Sequence, residues 1–342
     1  MSTLLPTFAL DPGGIPRRLR RRLTPWALFA LLLPLGMAGV FAYLDATAEI
    51  GAFPDYRTFI ATAEGIFGSS TGGFFYMHWV RPVFVLLHVL PLHIGYLLWA
   101  ALNIGGVWWA ARCFNGRPTL VLLSYQLFFV VYYGNIAGVI VGALAVMWWG
   151  LNRPSTIRWR PLLIGVAWAT ACIKPQAGVP LGAALLLLAE VDWRTRLWAG
   201  WVVLLVIAVS LVVYPGWVEV LYNTLRQTPP DVRGNISLWQ WLGAPVLLLW
   251  LPVIFALRRR PAPGVALALV SAALALTSPY FQQTDLLALM VLPIGGLALV
   301  GNVGWAFLVV GWAALKWTVI APLLIYTWAL WHSLRPGRIS TG

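Results

Sequence analysis

The chain has 342 residues, of which 61% are hydrophobic and only 10% are charged, and its formal net charge at neutral pH is +13. A water-soluble domain carries roughly 25% charged residues, so one soluble core cannot enclose this much apolar surface. The apolar runs are too long and too uniform for barrel strands, and backbone groups in lipid must be paired within their own segment. Since one span needs about 20 apolar residues, the composition predicts an all-α polytopic membrane protein with about 10–12 transmembrane helices in a single domain, 1–342.

The positive charge follows a membrane pattern and not a nucleic-acid footprint. Arginines concentrate in short stretches between apolar runs, at residues 17–22, 112–117, 153–160, 194–196 and 258–260. Short loops rich in arginine mark the cytoplasmic side of a membrane protein. We therefore expect a multi-pass protein of the cell (inner, cytoplasmic) membrane, with a cytoplasmic N-terminus and no nucleic-acid partner.

The first apolar run, 26–43, follows a basic tail of residues 1–23. No small-residue cleavage site follows the run, so we expect a retained first span. Residues 44–80 then form an outer loop that holds four acidic residues, which are Asp45, Glu49, Asp55 and Glu64. Apolar side chains at helical spacing in this loop predict a short amphipathic helix in the membrane interface, ended by the glycine-rich stretch 68–73. These side chains are Phe59, Ile60, Ala63, Ile66 and Phe67.

The middle of the chain is expected to form four helical segments, which are 82–91, 93–111, 119–133 and 136–151. Pro91 separates the first two, and Gly134-Asn135 forms an outer turn between the last two. Two shorter runs, 161–173 and 177–190, flank the joint Lys174-Pro175-Gln176. Alternation of the spans puts this joint on the outer side.

The last third of the chain is expected to hold four spans, which are 196–213, 241–257, 264–277 and 286–300. A second outer loop, 214–240, separates the first two of these spans. The motif Ser278-Pro279-Tyr280, with Asp285 after it, follows the third on the outer side. The final apolar segment, 303–331, fits one long tilted span or two short ones around Lys316.

Lys174 is an unusual residue, because an ammonium at mid-membrane costs roughly 3 kcal/mol. The two runs beside it are too short to cross the membrane fully, so the joint is expected to dip below the outer surface, where a lysine suits an anion. The alternative is a lysine that snorkels to the interface at an ordinary helix end.

Asp55 is the best candidate for chemistry, as a carboxylate placed directly after the first span. Its alternative interpretation is a solvated acid that caps the following helix. Asn135 after Gly134 is also explained by turn chemistry, and Arg81 by anchoring at the interface. No Cys/His spacing resembles a zinc site, and scattered acids make a poor metal cage, so we expect no metal and no cofactor.

Several short motifs occur in order along the chain. They are Asp55-Tyr56, Gly65 and Phe75-Tyr76; Pro82, Pro91, Trp99 and Asn103; Gly134-Asn135; Ile173-Lys174-Pro175-Gln176; Gly234-Asn235 with Ser237-Leu238; and Ser278-Pro279-Tyr280 with Asp285-Leu286. In order and spacing this set resembles the bacterial polyprenyl-phosphate-mannose-dependent mannosyltransferases of glycosyltransferase family 87, within the C-type superfamily. Asn135 stands where the family usually has glutamine.

The resemblance implies a polytopic helical transferase of the cell envelope. Such an enzyme moves a hexose, with mannose as the first candidate, from a polyprenyl-phosphate donor to a lipid-linked or polysaccharide acceptor on the outer face of the membrane. It implies Asp55 as the catalytic base and Lys174 as the cation for the donor phosphate, with Arg81 as second choice. Sugar or acceptor binding is expected from Tyr56, Asn135, Gln176, Asn235, Tyr280 and Asp285.

Two other functions stay open at this point. A non-catalytic membrane subunit derived from such a transferase would show the same helix patterning. A transporter or flippase of a lipid-linked anion would use proline-broken helices like those at 82–91 and 161–190, but it should also show related halves and charges reachable from both sides.

Overall fold

A computed structural model describes residues 24–64, 76–153, 157–227 and 235–334. Within these ranges the backbone is helical with no strand, and one isolated antiparallel bridge joins Asn235 and Gln282. The predicted all-α class is confirmed. The basic tail, the glycine-rich stretch 68–73 and the expected helix residues Ile66 and Phe67 lie outside the described residues, as do Gly65, Phe75 and Gly234.

The α-helices follow one another in this order: α1 (Pro25–Ala48), α2 (Pro54–Glu64), α3 (Arg81–His88), α4 (Leu92–Cys113), α5 (Pro118–Leu122), α6 (Tyr125–Tyr133), α7 (Ala137–Leu151), α8 (Arg160–Ala171), α9 (Pro175–Leu188), α10 (Trp193–Val213), α11 (Trp217–Gln227), α12 (Trp239–Leu242), α13 (Trp250–Arg258), α14 (Pro263–Thr277), α15 (Leu287–Met290), α16 (Leu297–Val300), α17 (Phe307–Val310) and α18 (Ile320–Leu334). Among the described residues, 3-10 helices connect them at His78–Val80, Ala244–Leu249, Gln283–Leu286, Gly301–Ala306 and Trp312–Val319.

Three of the described helices, α1, α4 and α10, are long and apolar enough to cross a membrane. The pair α6 and α7 passes the same test as one segment, but the two helices meet at an angle of 115°. Helix α10 exposes large apolar side chains such as Leu205 and Val212 over most of its length, as a lipid-facing helix does. These features confirm a polytopic membrane protein, while the total of 10–12 spans stays a prediction.

Helices α4 and α7 pack through glycines. A Cβ atom on Gly138 would lie 2.5 Å from the carbonyl oxygen of Asn103, and one on Gly142 would lie 2.8 Å from the Cα of Gly106. Small residues four apart let two helix backbones approach closely in lipid, where van der Waals contact replaces the hydrophobic effect as the driving force. The contact keeps α4 and α7 parallel, so their first turns lie at the same end of the bundle.

The two ends of the bundle differ in chemistry. At one end, Arg160 donates hydrogen bonds to the carbonyls of Gly150 and Leu151, and Arg196 donates to Ala189, so arginines cap the ends of α7 and α9. At the other end lie the α1–α2, α6–α7 and α8–α9 turns together with residues 278–285. Backbone hydrogen bonds tie this end together: the Phe53 amide donates to the Tyr132 carbonyl at 2.7 Å, and the Met77 amide, just before the 3-10 helix His78–Val80, donates to the Ile173 carbonyl at 3.0 Å.

The first outer loop is more structured than expected. Helix α1 continues to Ala48, so Asp45 belongs to its last turn and is not a loop residue. The predicted amphipathic helix is present as α2, which begins at Pro54 and has Asp55 in its first turn. Its apolar face packs on α3, with the Phe59 and Phe84 rings 4.6 Å apart, and its location in a membrane interface stays a prediction.

Two expected spans are wrong. The segment 119–133 is broken at Ser124, whose hydroxyl donates to the Val121 carbonyl and accepts from the Leu127 amide, so it ends α5 and starts α6. The nine residues of α6 rise about 14 Å, half of a bilayer core of about 30 Å. The segment 286–300 is a series of helical turns interrupted at Gly295 (φ +63°), and its first part is buried within the protein.

Two further segments gain detail. The second outer loop contains the amphipathic helix α11, which the sequence analysis did not predict, and whose Trp217 ring stacks on His78 at 5.8 Å. The C-terminal segment is not one long span, because Gly311 (φ +76°) interrupts it before α18 begins. Of the two expectations for residues 303–331, two short pieces agree better with the structure than one long tilted span.

Candidate active site

A small polar cavity of about 110 Å³ lies at the end of the bundle opposite Arg160 and Arg196. Its walls come from four parts of the chain, namely α2, the segment just before the 3-10 helix His78–Val80, the α8–α9 joint and the segment after α14. The lining residues are Asp55, Thr58, Phe59, Tyr76, Lys174, Gln176, Tyr280 and Gln282. Asp55, Lys174, Gln176 and Tyr280 had been predicted as site residues, and the structure brings these four to one cavity.

Asp55 occupies the first turn of α2 and is partly buried. Its Oδ2 accepts a 2.6 Å hydrogen bond from Nδ2 of Asn135. Burial raises the pKa of this carboxyl, and the hydrogen bond from Asn135 and the charge of Lys174 offset the rise only in part. A carboxylate with a raised pKa is a stronger base than an ordinary aspartate, which suits a group that receives a proton.

Asn135 is fixed in orientation by its own neighbours. Its Oδ1 accepts a 3.0 Å hydrogen bond from the Ala137 amide at the start of α7, which leaves both Nδ2 hydrogens free to point into the site. One goes to Asp55 and the other to the Tyr76 hydroxyl, at 3.1 Å. Asn135 therefore stabilises the turn and also contacts two residues of the site. It lies behind Asp55 and does not itself line the cavity.

Gly134 makes this turn possible. Its φ of +67° is in the left-handed region, and a Cβ atom there would lie 2.6 Å from the Cβ of Tyr56. The Gly134 carbonyl accepts a 2.9 Å hydrogen bond from the Trp99 indole. The α6–α7 turn therefore packs directly on α2, and this contact sets the distance between Asn135 and Asp55.

Lys174 lies at the joint between α8 and α9 and is only 2% exposed. Its Nζ forms an ion pair with Oδ1 of Asp285, and it lies 5.9 Å from the centre of the Tyr76 ring. The joint is tight, because a Cβ on Gly178 would lie 2.0 Å from the Ala171 carbonyl oxygen. A snorkelling lysine would extend to the surface, whereas this side chain extends into the protein.

Asp285 contacts the cavity through its neighbours. Its Oδ2 accepts a 3.1 Å hydrogen bond from the Gln282 amide, in a capping box at the start of the 3-10 helix Gln283–Leu286. Gln282 in turn donates a 2.5 Å hydrogen bond to the Tyr280 hydroxyl. Burial, followed by the charges of Asp285 and Asp55, raises the pKa of Tyr280, so its hydroxyl is a hydrogen-bond donor at any physiological pH.

Asn235 supports the wall from behind. It is fully buried, its Nδ2 donates to the Pro279 carbonyl and its Oδ1 accepts from the Phe281 amide, each at 3.1 Å. These bonds hold the segment that carries Tyr280. The expected contact of Asn235 with sugar or acceptor is not what this placement favours, because its polar atoms face backbone groups.

Arg81 and Tyr56 also lie outside the cavity wall. Arg81 is buried, donates a 2.6 Å hydrogen bond to the Thr62 carbonyl and lies over the Tyr214 ring. Tyr56 is fully buried in an aromatic cluster with Phe53, Phe84 and Tyr96 and does not line the cavity, and burial raises its pKa to about 12. Both residues position α2 and the segment after it. The sequence pattern does not distinguish this supporting role from a role in substrate binding.

Four lining residues were not predicted as site residues: Thr58, Phe59, Tyr76 and Gln282. Thr58 follows Asp55 by three positions and therefore lies on the same helix face, a signal that the sequence does contain. Phe59 had been assigned to the apolar face, and its ring packs edge-on against Tyr76 at 5.0 Å. Nothing in the sequence near Gln282 marks it as a site residue. Its amide is bonded to Asp285, whose own position depends on the ion pair with Lys174.

No metal site is evident in the described part of the chain, where no group of three or more His, Cys, Asp and Glu side chains is placed to hold an ion. The carboxylate of Asp55 on the cavity wall and that of Asp285 behind it already have protein partners, in Asn135 and Lys174 respectively. Independence from a metal stays a prediction.

The family model of glycosyltransferase family 87 matches residues 80–301, more than half of the chain. The chain belongs to glycosyltransferase family 87. No curated protein matches the chain, and no solved structure does. Membership confirms the resemblance seen in the ordered motifs and makes the protein a glycosyltransferase.

The stretch matched to family 87 contains Asn135, Lys174, Tyr280 and Asp285 but begins after Asp55. Asp55 therefore enters the site through geometry, by its hydrogen bond to Asn135 and its place on the cavity wall. The identities of the sugar donor and the acceptor do not follow from the match.

Proposed function

We propose that this family 87 glycosyltransferase moves a hexose, with mannose as the first candidate, from a polyprenyl-phosphate donor to a lipid-linked or glycan acceptor on the outer face of the cell membrane. The observation that carries the proposal is the shared cavity. A carboxylate of raised pKa, Asp55, and an ammonium, Lys174, line the same small space although they are far apart in sequence.

The reaction is a single displacement at the anomeric carbon of the sugar. The acceptor oxygen forms a bond to that carbon while the bond from the carbon to the phosphate oxygen breaks. The acceptor proton passes to Asp55, and the electron pair of the broken bond leaves with the polyprenyl phosphate. A base that receives the proton late in the reaction contributes about 10²–10⁴-fold in rate.

Lys174 stabilises the departing phosphate in this scheme. Its ammonium already has a carboxylate partner, Asp285, so the phosphate must share or replace that partner. The ion pair keeps a buried charge satisfied while the site is empty. Tyr280, Gln282, Gln176 and Thr58 supply donors and acceptors for sugar or acceptor hydroxyls, and Phe59 supplies an apolar surface for a sugar ring.

The arrangement of charge supports an outward-facing site. The cavity lies at the end of the bundle away from Arg160, Arg196 and the other arginines of the α7–α8 and α9–α10 connections. Because arginine-rich ends stay in the cytoplasm, the cavity end faces outward. Polyprenyl donors reach it through the lipid, and apolar helices such as α10 border that lipid.

The concentration of polar groups at one end favours a transferase over a transporter, which needs charges reachable from both sides. A complete base and cation pair favours an active enzyme over a non-catalytic subunit. The test is transfer by the purified protein in lipid nanodiscs, with radiolabelled polyprenyl-phosphate mannose or glucose and membrane lipid acceptors. Labelled product that is absent with Asp55→Asn supports the proposal, and absence of product from the wild-type protein with every donor would reject it.

A further inference from the structure

A second charged cluster lies beside the cavity, at the junction of α1, α2 and α4. Its centre is Asp45, whose side chain is only 1% exposed in the last turn of α1. Arg57 of α2 forms an ion pair with Oδ2 of Asp45, and His93 of α4 lies 3.2 Å from the same oxygen. Oδ1 accepts a 3.0 Å hydrogen bond from the Ala52 amide. One carboxylate thus joins three helices and the turn between two of them.

That turn is held in an unfavourable backbone conformation. Glu49 (φ 48°), Gly51 (φ 67°) and Phe53 (φ 46°) all have positive φ, and two of the three carry a Cβ that disfavours it. Such a conformation persists only where the surroundings hold it. Hydrogen bonds hold this turn: the Ala52 amide donates to the Asp45 side chain, the Phe53 amide donates to the Tyr132 carbonyl, and Nε of Arg57 donates to the Ala52 carbonyl.

The strained turn leads directly into the cavity wall. Phe53 stacks on Tyr96 at 4.1 Å and lies under the Arg57 guanidinium at 5.1 Å, and Asp55 follows two residues later. The position of Asp55 relative to Asn135 therefore depends on how α2 leaves the turn. A buried carboxylate is a costly means of mere stability, because apolar residues of similar size often stabilise as well. An ion pair does, however, define one orientation of α2.

We propose that Asp45 is a positioning residue for the transfer reaction, and that its bonds to Arg57, His93 and Ala52 set the place of Asp55 in the cavity. The inference rests on the proposed function for its catalytic part. Its structural part is independent of any substrate. Displacement of α2 by about 1 Å is expected to lower kcat/KM on the order of 10²-fold, as for other misplaced catalytic groups.

The first test needs no substrate and measures whether the bonds of Asp45 to Arg57, His93 and Ala52, here called the Asp45 clamp, hold α2 in place. Hydrogen–deuterium exchange of α2 amides is compared among the wild-type protein, Asp45→Asn, and the matched control Asp192→Asn. Asp192 also accepts hydrogen bonds, from Thr195, but at the arginine-rich end. We expect faster exchange in α2 for Asp45→Asn alone. Unchanged exchange in α2 would overturn the proposal, whether or not the protein transfers sugar.

The second test reads the effect on Asp55 through the pH profile of kcat/KM. The titratable groups around Asp55 are Tyr76, Lys174, Tyr280 and Asp285, and burial is the main cause of its raised pKa. Release of α2 admits water to Asp55, so the acid limb for Asp45→Asn is expected to move to lower pH along with the loss of rate. A loss of rate with an unmoved acid limb would indicate a purely structural role and overturn the catalytic part.

A second variant is made at Arg57, where a substitution disturbs folding less than at Asp45 because the Arg57 side chain is 44% exposed. Arg57→Gln is expected to reproduce both the faster α2 exchange and the shifted acid limb, while Arg57→Lys, which keeps the charge, restores most of the wild-type behaviour. Equal behaviour of the two variants would contradict the ion pair as the positioning element. If the wild-type protein proves inactive, the proposed function fails, and the exchange measurement still decides the clamp.

Discussion

Asn135 donates a hydrogen bond to Asp55 across 80 positions of sequence, at 2.6 Å. The same amide group donates to Tyr76, and its oxygen caps α7. One side chain thus connects the proposed catalytic carboxylate, a lining tyrosine and the start of α7. The relationship fixes the Asp55 carboxylate relative to the start of α7.

Asp55→Asn is expected to reduce transfer by at least about 10²-fold, because the amide cannot accept the acceptor proton. The variant should also be more stable than the wild-type protein at neutral pH. Since the folded state raises the pKa of Asp55, the ionised form costs stability above that pKa and has no effect below the unfolded pKa. Transfer assays and thermal unfolding at neutral and acidic pH measure both effects. Retained turnover would reject the base role.

Lys174→Ala is expected to weaken donor binding and to lower stability by about 3–5 kcal/mol, because Asp285 is left buried without its cation. The double variant Lys174→Met with Asp285→Leu separates the two effects. It should recover most of the stability while donor binding stays weak. Binding of a fluorescent polyprenyl phosphate and thermal unfolding provide the measurements. Unchanged donor affinity in Lys174→Ala would remove Lys174 from the phosphate site.

Asn135→Ala is expected to move the acid limb of kcat/KM to higher pH. The hydrogen bond from Asn135 lowers the pKa of Asp55 against the larger effect of burial, so its removal lets the pKa rise further. Asn152→Ala is the matched control, since Asn152 Nδ2 bonds the Trp148 carbonyl at the opposite end of α7. An acid limb that moves equally in both variants, or in neither, would contradict the assigned role of Asn135.

Gly134→Ala is expected to destabilise the protein by more than the roughly 1–2 kcal/mol that a left-handed conformation costs an alanine. The excess arises because the new Cβ would meet the Tyr56 Cβ at 2.6 Å. Two controls separate strain from contact. Gly216 has φ +86° with open space around it, and Gly200 has open space within a helix. Unfolding measurements should rank Gly134→Ala as the most destabilising and Gly200→Ala as neutral or mildly stabilising; equal effects at Gly134 and Gly216 would contradict the α2 contact.

Much of the fold was accessible from local patterns. Helices α4, α9, α10 and α14 fall close to their expected limits, since runs of apolar residues bounded by prolines and arginines are readable within one window. The break at Ser124 was not, because apolar residues continue on both sides of it. The break at Gly295 has a local signal, Pro293 with Gly295-Gly296, which the expected span 286–300 passed over.

Of the site, the sequence pointed to Asp55, Lys174, Gln176 and Tyr280, which line one cavity. It did not distinguish residues that contact the cavity from residues behind its wall, such as Arg81 and Asn235. Burial and hydrogen-bond partners decide that difference, and neither is visible in residue type or spacing. Asp45 was taken for a loop acid for the same reason.

The sequence by itself determined that the chain is a membrane protein and that one end of its helix bundle is rich in arginine. It also showed a set of ordered motifs that resembles a glycosyltransferase family. These properties follow from hydropathy, charge and short motifs, which act within a few turns of one helix. The tertiary structure alone decided which partner each carboxylate meets, because the hydrogen bond from Asn135 to Asp55 and the ion pair of Lys174 with Asp285 form only after distant turns pack on one another. Their energies depend on burial and on the exact approach of side chains, and those exist only in the folded bundle.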